Sequence, residues 1–222
     1  MSGPATWNVV GVILKNNLVE FDSILKSGEQ LNNLCRFTAA AMQIIDKSRF
    51  KIAIVKCFQF TALADCYGIL NSIKNFPYKS FNYTKYDHLQ KIAFGVANLN
   101  DTLSWFEDKK VVDLGRFGSV LGHLGSFGAA AGLIRNVWNE RKKISSLSAN
   151  LADEYKNLKE TKKNKMLAQR AVSCLNIGSN CLEVTLIATP YFIKMNKNFR
   201  AVITMVSKAA ALGAFLIEQK IN

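Results

Sequence analysis

The segment LGRFGSVLGHLGSFGAAAGL, from Leu114 to Leu133, limits the folds open to this chain more than any other stretch. It holds six of the 13 glycines in the sequence: Gly115, Gly118, Gly122, Gly125, Gly128 and Gly132. Their spacings are three, four, three, three and four. On a helix that beat places all six on one stripe. Leu114, Phe117, Leu121, Leu124 and Ala131 fall on another face. Each glycine weakens a helix by roughly 1 kcal/mol relative to alanine. Six of them require a compensating contact, and close approach of a second backbone supplies one. Gly118/Gly122 and Gly128/Gly132 are both GxxxG pairs. The stripe therefore predicts helix packing or self-association. Its partner is expected to be the Ala171–Ile193 segment or the same stripe of a second copy.

The flanks of the stripe point toward a membrane. Arg116 and Arg135 bracket 18 residues without a Lys, Arg, Asp or Glu. That is near the lower limit for crossing a bilayer, about 17–25 residues. Trp105 and Trp138 lie outside the two ends, where interfacial aromatics belong. A second segment, 171–193, carries one charge, Glu183, and a third, 201–217, carries only Lys208. The candidate membrane-inserting or core segments are thus 117–134, 171–193 and 201–217. Ten Lys or Arg and four Asp or Glu fill Arg135–Arg170, so the positive-inside rule keeps that stretch cytosolic. Against spanning stand His123, Ser119 and Ser126 in the first segment and Asn176, Asn180 and Glu183 in the second. Partly inserted amphipathic helices fit the same pattern.

The rest of the chain also reads as helix after helix. Three prolines and few turn clusters argue against a many-stranded fold. One helix is expected to end at Ser27-Gly28 and a second to cover EQLNNLCRFTAAAMQIID. A third ends at Pro77. Residues 79–88 form the one clear loop, between an N-terminal region, 1–78, and a second region, 89–222. Leu89, Ile92, Val96, Leu99, Leu103 and Phe106 alternate at three and four, a seam for a bundle core or a partner helix. Leu147, Leu151, Tyr155 and Leu158 share one face of a charged helix that runs on through Leu167. The expected architecture is all-α, a bundle of seven to eight helices with a glycine-striped central helix and two or three apolar C-terminal helices.

Charge narrows the partners. The chain carries 29 basic and 16 acidic residues, a net charge of +13. Such an excess seeks an anionic surface. The densest runs supply Arg141, Lys142, Lys143, Lys162, Lys163 and Lys165. Near anionic headgroups each contributes about 1 kcal/mol, screened by salt. They lack interleaved aromatics and match no reading-helix motif, so nucleic acid ranks below lipid.

Catalytic patterns are sparse. His88 and His123 are far apart, and no His/Cys cluster has zinc spacing. GRFGSVLG is neither a GxGxxG fingerprint nor a Walker loop. No enzyme activity, cofactor or metal is expected. The five cysteines, with no CxxC, read as buried free thiols. Met1–Asn17 lacks a positive n-region, so a cleaved secretory signal is not expected.

SGEQLNNLCRFTAAAM, VANLNDTLSWFEDKKVVDLGRFG and SCLNIGSNCLEV together give the chain a pattern similar to the peroxin-11 family of membrane-elongating proteins. Two features depart from that pattern. Ser27-Gly28-Glu29-Gln30 stands where the family has a Gly-Arg-Asp-Lys run, and the closing glycine/serine segment is SKAAALGAF. VDLGRFGSVLGHLG also resembles helical inclusion-membrane and secreted proteins of chlamydia-type intracellular bacteria. Both resemblances imply insertion into an organelle-type limiting membrane, peroxisomal or inclusion, facing the cytosol. The expected protein is a self-associating, membrane-shaping helical protein. A cytoplasmic, soluble helical interaction module is the alternative and a nucleic-acid binder the third reading.

Overall fold

A computed structural model describes residues 27–61, 86–108, 110–154 and 160–221. Among them the fold is all-α, without a strand. Helix α1 is Gly28–Asp46, α2 Tyr86–Asp108, α3 Gly115–Glu154, α4 Glu160–Ala188 and α5 Lys197–Ile221. A 3-10 turn, Thr189–Tyr191, follows α4, and a further helical stretch covers 51–61. The count is near the seven to eight expected. The helix expected ahead of Ser27 lies outside the described residues, as does most of the one ending at Pro77.

Local chemistry sets the ends. Ser27 is extended, and its hydroxyl accepts from the Gln30 amide at 3.4 Å, capping α1. After α1, one Asp46 carboxylate oxygen accepts from the Ser48 amide, the Ser48 hydroxyl and the Arg49 amide. At the end of α2, Lys110 adopts a positive φ of 58°. Its amide donates to the Glu107 carbonyl and the Val111 amide to the Phe106 carbonyl, a Schellman closure without its usual glycine. Gly115 begins α3 at φ 49°, with its amide on the Asp113 carboxylate. Asn196 caps α5 by accepting from the Asn198 amide at 2.9 Å.

The helices pack as a row: α2 on α3, α3 on α4, α4 on α5, and α5 on α1. Short connections make α2–α3, α3–α4 and α4–α5 antiparallel hairpins. An ion pair between Arg36 of α1 and Asp101 of α2, 3.7 Å, ties the two ends of the row together.

Two boundaries differ from expectation. Helix α2 begins at Tyr86, inside the segment read as loop. The charged helix expected through Leu167 is divided: its first part continues α3 to Glu154 and its last part opens α4 at Glu160. No proline or glycine stands between Gly132 and Glu154, so nothing stops the glycine helix from running on.

Side-chain size is sorted unusually. Ala39, Ala40, Ala201, Ala214, Ser173, Ser179 and Ser207 are buried. The larger apolar residues inside are few, Leu121, Leu151, Met166, Val172 and Leu186 among them. Leu147 is half-buried beside Leu151, while Tyr155 and Leu158 lie outside the described residues.

Candidate membrane-facing surface

Helix α3 has two contrasting faces. On the glycine face, α2 approaches so closely that side chains do not fit. A Cβ on Gly128 would lie 2.8 Å from the Ala93 carbonyl oxygen, and one on Gly125 2.7 Å from the Asn100 Cβ. One on Gly132 would meet the Phe94 ring at 2.8 Å. Gly118 faces Glu107, and Gly122 faces Asn100 at an ordinary 3.7 Å. The glycines thus form a groove, but the partner is neither of the two expected. The hairpin mate α2 fills it, because a six-residue connection delivers α2 first and in register. Any pairing of two copies through this face has to displace α2. Gly115 is exposed and serves the turn.

The opposite face is apolar and uncovered. Phe117, Val120, Leu124, Phe127, Ala131, Ile134 and Trp138 are all exposed, Phe127 at 77%. Their spacing alternates three and four without a break. Over 21 residues at 1.5 Å each the stripe is about 32 Å long, close to the ~30 Å hydrocarbon core of a bilayer. Phe117 and Leu124 belong to the apolar face read from the sequence, whereas Leu121 is buried. Val120, Phe127 and Ile134 complete the stripe, and the same three-four count identifies them.

Exposed apolar residues continue elsewhere: Phe192 and Ile193 after α4, Phe199, Val202 and Val206 on α5. Three helical stretches, Gly115–Ala152, Glu160–Tyr191 and Lys197–Ile221, are long and apolar enough to cross a membrane, and their most apolar windows are only 17%, 22% and 17% buried. The segments 117–134 and 201–217 fall within the first and third, and 171–193 overlaps the second up to Tyr191. They are staggered along the axis. The His123 Nδ1 lies 3.1 Å from the Tyr191 hydroxyl, so the third turn of α3 is level with the end of α4. The first two turns of α3, about 12 Å, therefore reach past α4 together with the end of α2. The connecting turn exposes Val111 and Val112.

One polar objection to spanning, Glu183, is neutralised in the fold. Glu183 of α4 pairs with Lys208 of α5 at 3.0 Å. The fully buried Ser207 hydroxyl lies 2.6 Å from the same Glu183 oxygen and 3.2 Å from the Ser179 hydroxyl. Two opposite charges and two hydroxyls thus satisfy each other between two helices. Small residues let those helices approach, as in membrane bundles.

The six basic residues form two zones rather than one patch. Arg141, Lys142 and Lys143 are exposed in the second half of α3; Lys142 lies 5.8 Å over the Trp138 ring and Lys143 bonds Glu140 at 2.6 Å. Lys162, Lys163 and Lys165 sit in the first two turns of α4. The antiparallel hairpin sets the zones about 15 Å apart along its axis.

The α2 seam is not the face that fills the groove. Ile92 and Leu99 are exposed, Val96, Leu103 and Phe106 half-buried, while Ala93, Phe94 and Asn100 meet α3. The side chain of Leu89 lies outside the described residues. Cys174 and Cys181 are exposed and Cys35 and Cys57 half-buried, in contrast to the buried thiols expected; Cys66 lies outside the described residues. Cys174 and Cys181 occupy outward positions of α4, whose inward positions include Ser173 and Ser179. Among the described residues no group of three His, Cys, Asp or Glu can hold a metal ion. Comparison with family models, curated proteins and solved structures returns no match.

Proposed function

We propose that this chain is a non-enzymatic helical membrane protein that inserts apolar helices into an organelle-type limiting membrane, from its cytosolic side, and shapes it. The exposed stripe from Phe117 to Trp138 carries this reading. A surface of large apolar side chains about one bilayer long, backed by a small-residue interior, is the pattern expected when lipid replaces water as the outer solvent. The basic zones at 141–143 and 162–165 suit anionic headgroups at the membrane surface. The organelle assignment rests on the sequence resemblances alone.

Extraction of native membranes tests the reading. The chain is expected to stay in the pellet through carbonate and high salt and to leave it only in detergent. Release into carbonate would contradict insertion. In vesicle binding, Gln at Lys142, Lys143, Lys162, Lys163 and Lys165 is expected to weaken attachment to anionic bilayers. Tighter, salt-sensitive binding to duplex nucleic acid than to vesicles would favour the nucleic-acid reading.

One observation favours a second reading. The unbroken three-four spacing of the stripe is also the seam of a coiled coil, so a second copy, or a partner helix on Ile92 and Leu99, could cover apolar residues in a soluble assembly. A discrete dimer in detergent-free lysate would select it.

A further inference from the structure

A cleft of about 840 Å³ opens between α1, α3, α4 and α5. Five cationic side chains line it, Arg36 from α1, Lys47 just after it, and Lys197, Arg200 and Lys208 from α5, against a single carboxylate, Glu183. That carboxylate is engaged by Lys208, and Arg36 is paired with Asp101. No ion pair among the described residues engages Lys47, Lys197 or Arg200. Walls of one sign focus the field into a cleft and concentrate an anion there. The first turn of α5 lines the same space, and its helix dipole adds to the positive potential.

The surroundings indicate what kind of anion fits. A shallower cavity of about 410 Å³ adjoins the cleft and shares Leu186, Pro190, Tyr191 and Arg200 with it. Its other walls include Phe192 and Ile193, both exposed, and Phe58 lines the cationic cleft itself. The cationic cleft joins, through Arg200, a cavity walled by Phe192 and Ile193 together with Lys194, which suits an amphiphile with its charge in the cleft and its chain against those two apolar side chains.

We propose that this cleft binds the phosphate headgroup of an anionic lipid, with Lys47, Lys197 and Arg200 as its ligands and the acyl chain leaving over Phe192 and Ile193. The site differs from the basic zones at 141–143 and 162–165, which attract a surface rather than enclose a headgroup. It rests on the membrane reading for the source of its ligand.

The full chain in neutral detergent is titrated with phosphatidic acid in mixed micelles, with phosphatidylcholine and with inorganic phosphate. Phosphatidic acid is expected to bind more tightly than either of the others. The double change Lys197→Gln/Arg200→Gln is expected to weaken it by about tenfold or more, the scale of losing one charge-assisted hydrogen bond. Lys110→Gln/Lys220→Gln, outside the cleft and both basic zones, is expected to leave it within about twofold, as for exposed charges at a distance. All four residues are exposed, so unfolding temperatures without ligand should stay level and separate binding from folding. Equal losses in the two double variants would overturn the site. Inorganic phosphate binding as tightly as the lipid would overturn the lipid assignment. Carbonate extraction of the same variants keeps the two ideas apart: a chain that resists carbonate but shows no cleft effect contradicts this site alone, and a chain released by carbonate contradicts the membrane reading.

Discussion

The two faces of α3 lie on one helix, yet they differ in every respect that matters for packing. On one, Gly125, Gly128 and Gly132 leave no room for a side chain, and α2 lies against bare backbone. On the other, Phe117, Phe127 and Trp138 stand in the open. A water-soluble bundle sorts residues the other way, with large apolar groups inside and small or polar ones out. Residue size, not polarity alone, marks the inside of this molecule. The α4–α5 contact repeats the lesson: Ser179 and Ser207 are buried there while Val202 and Val206 face out.

A charge on the open face should break the contrast most strongly. Phe127→Arg is expected to lower stability in the membrane by about 2.5–3.5 kcal/mol or more, and to shift the chain out of the carbonate-resistant pellet. A water-facing site would tolerate the same change within about 0.5 kcal/mol. Next comes the closed face. Gly128→Ala places a methyl group against the Ala93 carbonyl, and unfolding in detergent should show a loss of about 1–3 kcal/mol. Gly122→Ala has ordinary contact distances and should be tolerated, which makes it the matched control.

Most of the fold class is legible in the amino-acid sequence. The glycine beat predicts a groove because the period of a helix alone assigns residues to faces. The three apolar segments are readable because length and charge alone define them. The groove's occupant is not readable: Gly128 meets Ala93 through hairpin register, which no local pattern encodes. Nor is the neutralisation of Glu183 by Lys208, two residues 25 positions apart that singly weaken two candidate spans. The cationic cleft leaves only a faint trace. Arg36, Lys47, Lys197 and Arg200 read singly as ordinary surface charges, and only the packing of α1 on α5 gathers them.

Smaller effects sharpen the comparison at other sites. Ser207→Ala removes a buried hydroxyl bonded to Glu183 and should cost about 1–2 kcal/mol in thermal unfolding, with Lys208→Met as a second change that couples to it. Gly178→Ala on the outward side of α4 meets nothing within 4 Å, so the better helix former should raise stability by up to about 1 kcal/mol. The smallest effect lies at the turn after α1. The Ser48 hydroxyl, and then the Arg49 amide, hold the Asp46 carboxyl below its usual range. Its folded value is depressed, so its contribution is present above the unfolded value near pH 4 and is lost as pH falls through the folded one. Asp46→Asn should therefore flatten the acid limb of the helix signal below about pH 4.

The central claim is that the stripe from Phe117 to Trp138 meets lipid. It is tested most directly by a chain carrying Phe127→Trp with Trp7, Trp105 and Trp138 each changed to Phe, reconstituted in vesicles. Emission from position 127 is expected to be quenched by bromines on the lipid acyl chains and to be insensitive to aqueous iodide. Emission that iodide quenches and brominated lipid leaves unchanged would place the stripe in water and contradict the account.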